Sequence, residues 1–325
     1  MQYLLANHIF WNAYIGGLNA MEPHLMTQTV LLAGATGMLG GRIAHHLLAQ
    51  PDAKVRLLVR GGGSSKKQAA LAPLLNAGAE LIEGDLGDTV ALDRATQGID
   101  MIVSAVQGGP DVIIDGQLAL AEAGKRNGVR RILPSDFGLD LFKATQGEHA
   151  AFNWRARADD VIAQLGMEHI HILQGGFMDL FGPGSPLLDY DKGVVQFWGD
   201  GTQPVEITSV EDTARMTARV ALDRTVPSGK FAFAGDYVSF LEAAELAAAK
   251  TGRSFERRWL GSEADLRAAM AKAANTDPMQ AIMLAYQLYM LNGQTALTHL
   301  QNNRYPDIQL TKFPDFLARR LAAQG

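Results

Sequence analysis

The sequence predicts an α/β fold built on a doubly wound parallel sheet, with a smaller C-terminal α/β region interleaved with it. Three observations predict this. Short apolar runs alternate with amphipathic helical patterns through the first half of the chain, the spacing that makes parallel sheets. A glycine-rich turn, Gly34-Ala35-Thr36-Gly37-Met38-Leu39-Gly40, follows the first apolar run. Each later run ends in a polar or glycine-rich break, and ligands gather at such strand ends in open α/β sheets. With 325 residues, the chain can bury a sizeable core in one large or two intimately joined domains. The expected division is an N-terminal extension over 1–28, a nucleotide-binding domain over 29–180 and a substrate-binding region over 181–325.

The elements follow in order. Thr29 to Ala33 reads as a strand, Ile43, Leu47 and Leu48 mark a helix after the glycine turn, and Val55 to Val59 is a second strand stopping at Arg60. Strand, glycine turn, helix, strand is the first unit of a Rossmann sheet. The glycines let the backbone approach a pyrophosphate, whose charge then sits on the positive helix N-terminus. An acidic residue closing the second strand would accept the ribose 2′-hydroxyl of NAD and repel a 2′-phosphate. Here that position is Arg60, followed by three glycines, two serines, Lys66 and Lys67. These cations suit a phosphate dianion, so the expected cofactor is NADP(H). The alternative is that they are solvated loop charges.

Gln68 to Ala77 is helical in pattern, and Ala79 to Ile82 is a short strand ending in Glu83-Gly84-Asp85-Leu86. Thr89 to Gln97 reads as helix and Asp100 to Val103 as strand, with Ser104-Ala105-Val106-Gln107 at its end. Val112 to Ala123 is helix, and Val129 to Leu133 is a strand running into Pro134-Ser135-Asp136-Phe137-Gly138. His149 to Leu165 is helix, and His169 to Leu173 is the sixth strand, ending at Gln174 to Phe177.

Composition narrows the function classes. A net charge of −5 gives no electrostatic case for nucleic acid or an anionic membrane. The absence of cysteine excludes disulfides, thiolate metal sites and thiol catalysis, and fits a cytoplasmic protein. Met1 to Gln28 holds no Lys or Arg, unlike a signal peptide with its basic start. Its apolar stretches are too short for a membrane span. The segment is expected to lie upstream of the fold proper, or to form an arm on a partner subunit through Phe10, Trp11 and Tyr14.

The motifs in order resemble the atypical short-chain dehydrogenase/reductase group that contains the isoflavone reductase-like and NmrA-like proteins. The matching residues are G-A-T-G-M-L-G at 34–40, L-V-R at 58–60, G-D-L at 84–86, V-S-A-V at 103–106, P-S-D-F-G at 134–138, G-G-F at 175–177, G-D-G at 199–201 and E-D at 211–212. The resemblance implies an NADPH-binding Rossmann domain and a C-terminal region that shapes a substrate pocket. It places Gly34, Thr36, Gly37, Met38, Leu39 and Gly40 around the pyrophosphate, and Arg60 with Lys66 or Lys67 on the 2′-phosphate. It puts Ser104, Ala105, Val106 and Gln107 under the nicotinamide ribose and Phe177 beside the ring. Asp85, Leu86, Pro134 and Ser135 complete the expected cofactor rim.

The catalytic position departs from this pattern. The wider superfamily uses Tyr-x-x-x-Lys, but no tyrosine occurs between Tyr14 and Tyr190. Isoflavone reductase-like enzymes place a lysine in a Phe-x-x-Lys context, where this chain has Phe152-Asn153-Trp154-Arg155. A guanidinium keeps its proton at any working pH, so Arg155 can orient or charge-stabilise an oxygen but is a poor proton shuttle. A structural role would pair it with Asp159 at i+4, worth about 0.3 kcal/mol on a solvated face. His149 is the nearest group suited to proton transfer, provided it lies in the loop before the helix; within the helix it points about 120° away from Arg155. His169 and His171 share a strand face and are expected to pack. Asp136 is expected to cap the next helix or to contact a ligand. No spacing suggests a metal site, and none is expected.

In the C-terminal region, Val194 to Trp198, Val205 to Ile207 and Phe231 to Phe233 read as strands, and Ser239 with Glu242 opens a helix over 239–251. Met279, Ile282, Met283, Leu284, Tyr286, Leu288, Tyr289 and Met290 lie on a helix apolar on most faces. It reads as core, as the wall of a pocket for a hydrophobic or aromatic substrate, or as a homodimer surface. Two functions stay open: an NADPH-dependent reductase of an aromatic or conjugated small molecule, and a non-catalytic NADP(H)-sensing regulator.

Overall fold

A computed structural model describes residues 27–62 and 64–323. Expectations for residues 1–26 lie outside the described residues. The chain runs β1 (Gln28–Ala33), α1 (Met38–Leu48), β2 (Ala53–Val59), α2 (Ser65–Asn76), β3 (Glu80–Glu83), α3 (Thr89–Thr96) and β4 (Met101–Ser104). It continues through a π-helical turn at Asp111–Gly116 into α4 (Gln117–Arg126), then β5 (Arg131–Leu133), α5 (Ala150–Gln164) and β6 (Glu168–Leu173). These strands form a parallel sheet in the order β3-β2-β1-β4-β5-β6, extended at its far edge by β11 (Gly229–Ala232). The strand order reverses between β1 and β4, which opens a crevice at their carboxyl ends.

Both faces of the sheet are covered, so its strands are apolar on both sides. Val30 and Leu32 of β1 pack on one face with Ile43 and Leu47 of α1 and with Met216 and Val220. Leu31 and Ala33 pack on the other with Leu92 of α3, Leu120 of α4 and Ile162 of α5. This alternation is the period-two geometry of a strand buried twice.

The second half adds β7 (Gly176–Phe177), β8 (Leu188–Asp189), β9 (Val194–Phe197), β10 (Val205–Thr208), α6 (Val210–Leu222), β12 (Asp236–Val238), α7 (Phe240–Thr251), β13 (Glu256–Trp259), α8 (Glu263–Thr276), α9 (Pro278–Asn292) and α10 (Phe313–Ala322). Two small sheets, β12-β10-β7 and β13-β9-β8, share a second core containing Phe181, Phe197, Ile207, Phe240 and Phe313. Ser239 and Glu242 close a capping box at the start of α7.

The interleaving of the two regions rests on a buried arginine. Arg131 in β5 is fully buried, and its Nη1 donates to the carbonyl oxygens of Val220 and Asp223 at 3.2 and 2.7 Å. Its Nη2 donates to Val226 O at 3.0 Å, and its Nε to Glu168 at 2.8 Å. Carbonyls at the end of α6 are orphaned by the helix itself, so one guanidinium satisfies several at once.

Candidate cofactor and substrate site

The glycine turn is shaped by close approach. Gly34 has φ +94°, and a Cβ there would lie 2.3 Å from Ala105 O. A Cβ on Gly40 would lie 2.2 Å from Gly34 O. Both positions require glycine, the first to let the β1 and β4 ends touch and the second to bring α1 onto the turn. Gly37 begins α1 with no side-chain cap and no acidic residue in the first turn. The leading amide groups of α1 are thereby left for an anion.

A cavity of about 1090 Å³ starts at this turn and crosses the sheet's carboxyl edge. Gly34, Thr36, Gly37, Met38 and Leu39 line it, as do Arg60, Lys67, Asp85, Leu86, Ala105, Val106 and Gln107. Ser135, Arg155 and Phe177 line its far end. Gly40, Ser104 and Pro134 lie off the wall, although all were expected in it. Ser104 is buried at the end of β4, and Gly40 serves through the helix approach just described. Asp85 accepts the Gly87 amide at 3.0 Å, which fixes the turn at that edge. Ser135 donates its hydroxyl to Val106 O at 2.7 Å and so ties the β5 end to the β4 end.

Arg155 reaches the cavity from α5. Its Nε donates to Ser135 O at 2.9 Å and its Nη1 to Ala151 O at 3.0 Å. The expected ion pair with Asp159 is not formed. Helical side chains lean toward the N-terminus, and Arg155 binds a carbonyl one turn back while Asp159 lies one turn ahead.

His149 departs from its proposed role. It is the residue before α5, as that role required, and its Nδ1 accepts the Phe152 amide at 3.3 Å. Its ring, however, is fully buried, stacked on Phe152 with centroids 3.9 Å apart and met edge-on by Tyr286 at 4.3 Å. Burial, helped by the Arg155 charge, lowers its pKa to about 3. It is a neutral capping ring beneath the cavity wall and carries no proton to give.

Asp136 does not cap the helix; His149 does. Its Oδ2 lies 2.7 Å from His171 Nδ1, and Asp159 Oδ2 lies 3.8 Å from the same nitrogen. All three residues are buried, and among the described residues both Asp159 oxygens and Asp136 Oδ1 lack a hydrogen-bond partner. Burial and the facing Asp136 carboxylate raise the Asp159 pKa well above the usual carboxylate range. Asp159 thus keeps its proton, and His171 is a member of a polar cluster where apolar packing was expected. Three separate segments supply this cluster, which no linear spacing could reveal.

The C-terminal region closes the far end. Met283, Tyr286 and Met290 of α9 line the cavity with Leu180 and Glu206, while Leu288 and Tyr289 on the same helix are buried in the core. Wall and core are therefore both present on α9, divided by helix face. The sequence named Tyr286 only as one of the residues on this apolar helix and did not single out Glu206. Glu206 lies in β10, accepts the Leu297 amide at 3.1 Å and has its pKa raised by burial.

Among the described residues, no helix is long and apolar enough to cross a membrane. Pinoresinol reductase 2 of Arabidopsis thaliana is 31% identical over 205 residues, covering 60% of this chain and 64% of that protein. The isoflavone reductase homolog IRL of Zea mays is 27% identical over 318 residues, covering 90% of this chain and 98% of that one. Among solved structures, AtPrR2 with NADP+ and (+)pinoresinol superposes with a TM-score of 0.80 at 24% identity, covering 90% of this chain and 98% of that chain. The leucoanthocyanidin reductase–NADPH complex from Vitis vinifera superposes with a TM-score of 0.79 at 23% identity, covering 90% and 99%. At these identities the superpositions establish a common fold. The NmrA-like family model matches residues 26–299, most of the chain, and with the glycine turn and sheet order in place the protein belongs to the NmrA-like family.

Proposed function

We propose that this protein is an NADPH-dependent reductase that delivers hydride to an aromatic or otherwise conjugated small molecule. The observation that carries this reading is one continuous cavity joining Arg60 and the glycine turn at one end to Arg155, Phe177 and the α9 wall at the other. Its volume of about 1090 Å³ exceeds what a small ligand alone needs. The relatives named as pinoresinol and isoflavone reductases support the same reading.

The residues present fit a dinucleotide. Gly34 and Gly40 let the β1 end, the β4 end and α1 pack closely around the turn, and the uncapped α1 start offers amide donors to a pyrophosphate. Arg60 and Lys67 would hold the 2′-phosphate, and Ala105 to Gln107 with Phe177 would flank the nicotinamide half. The bound cofactor supplies hydride. Arg155 holds a fixed positive charge where negative charge grows on the substrate oxygen. Its bond to Ser135 O orients the guanidinium before substrate arrives. Met283, Met290 and Leu180 give that end an apolar lining that suits a flat apolar ligand.

The test is titration of the purified protein with NADPH, NADP+ and NADH, followed by a turnover screen of aromatic ketones, enones and benzylic ethers. Preferential NADPH binding with cofactor consumption is the expected result. Strong discrimination between NADPH and NADP+ without consumption would instead identify a redox-sensing regulator. Binding of no dinucleotide would overturn the reading entirely.

A further inference from the structure

We infer that Tyr286, supplied by α9, is the proton donor of this site, acting beside Arg155 as a two-donor cradle for a substrate oxygen. The inference rests on the reductase reading above. Arg155 supplies charge but no transferable proton. His149 is sealed under aromatic rings, and no tyrosine or lysine stands at the family's catalytic position. The site therefore needs a proton from elsewhere in the fold.

Tyr286 meets the geometric requirements. It lines the same cavity end as Arg155. Its ring is pinned edge-on against His149 at 4.3 Å and Phe152 at 5.2 Å between centroids. Phe152 and Arg155 are three residues apart on α5 and share a helix face, and the Arg155 charge acts on the Tyr286 phenol. Among the described residues, the phenol has no hydrogen-bond partner, and neither does Nη2 of Arg155. Two unengaged donors on one wall are what a developing oxyanion requires.

The chemistry balances. As hydride reaches the substrate carbon, the carbon–oxygen π pair moves onto oxygen. The O–H bond of Tyr286 breaks, its electron pair stays on the phenolic oxygen, and its proton forms the product hydroxyl. The resulting tyrosinate is stabilised by the Arg155 charge until a solvent proton restores the phenol. Burial raises the Tyr286 pKa and the Arg155 charge opposes that rise. The phenol is accordingly protonated at neutral pH.

The test is Tyr286→Phe, which keeps the ring and its packing. Turnover should fall about 100-fold, while NADPH affinity, read by fluorescence, changes less than about twofold. A second readout is independent of turnover: binding of 4-nitrophenolate to the NADP+-loaded protein, followed by its absorbance. Tyr286→Phe should weaken that binding about tenfold, the value of one hydrogen bond to a charged group. Unchanged phenolate affinity in Tyr286→Phe, or unchanged turnover of that variant where the wild type reduces its substrates, overturns the assignment. Weakened phenolate binding in a protein that reduces nothing would sustain the oxyanion cradle and defeat the reductase reading instead.

Discussion

Arg155 Nε and the Ser135 carbonyl are joined at 2.9 Å, binding the middle of α5 to the loop that ends β5. Together with the bond from Nη1 to Ala151 O, this bond fixes a cation at the cavity wall and leaves Nη2 unengaged. It also ties the charge to Ser135, whose hydroxyl reaches the β4 end. The β4 end, the β5 end and the guanidinium are therefore joined by a continuous chain of hydrogen bonds.

From this bond follows the first expectation. Arg155→Ala should lower turnover by about 10²- to 10³-fold, the loss typical for one oxyanion donor. NADPH affinity should stay nearly constant, because the residues proposed to hold the cofactor's phosphates lie at the opposite end of the cavity. Arg155→Lys restores charge, but a single nitrogen cannot hold Ser135 O and face the cavity together. It should recover little of the loss. Wild-type turnover in Arg155→Ala would reduce the residue to a loop anchor.

We propose that Arg60 selects the dinucleotide. It stands just beyond the β2 end and lines the cavity beside Lys67. Arg60→Asp removes a charge-assisted partner of the 2′-phosphate and adds repulsion. NADPH binding should weaken about 10- to 100-fold, with NADH binding unchanged or improved. Equal losses for the two cofactors in a calorimetric titration would refute the 2′-phosphate assignment.

These two sites differ in how far they were legible. The glycine turn, Arg60 and the alternation of strands with helices could be read because each is written within a few consecutive residues or in a repeating spacing. Tyr286 and Arg155 are 131 positions apart in the chain, and only the fold of α9 over α5 unites them. The i+4 rule placed Arg155 and Asp159 on one helix face, yet it carried no information on the Ser135 carbonyl that diverts the guanidinium. Asp136, Asp159 and His171 were each assessed alone, as a cap, an ion-pair partner and packing. Their shared burial follows from three segments meeting under the sheet edge.

Asp159 makes stability pH-dependent in a defined direction. Its pKa is raised in the folded state by burial and by Asp136. The protonated form is favoured by folding, and that contribution is lost as pH climbs from the ordinary carboxylate value through the raised one. His149 works in the opposite sense. Its folded pKa of about 3 means that stability is lost as pH falls below about 6.5. Above that value His149 contributes no slope, so Asp159 can be isolated there. Asp159→Asn should flatten the decline of melting temperature between about pH 6.5 and pH 9, and parallel curves for variant and wild type would place its proton elsewhere.

Arg131 and its neighbour Arg130 offer a test of what holds the two regions together. Both bind the Glu168 carboxylate, at 2.8 and 2.6 Å, so an ion pair alone would make them equivalent. They differ in burial: the Arg131 side chain is 0% exposed, against 30% for Arg130. Only Arg131 also reaches the carbonyls that close α6 and the following turn. Arg131→Met removes that guanidinium and strands buried acceptors, a change worth about 3–5 kcal/mol. Arg130→Met breaks a partly solvated pair worth about 1 kcal/mol or less. Urea unfolding should therefore separate the two variants by several-fold in lost stability. Similar midpoints would mean that the α6 carbonyls find water when Arg131 is gone, and that apolar packing, not this guanidinium, binds the C-terminal region to the sheet.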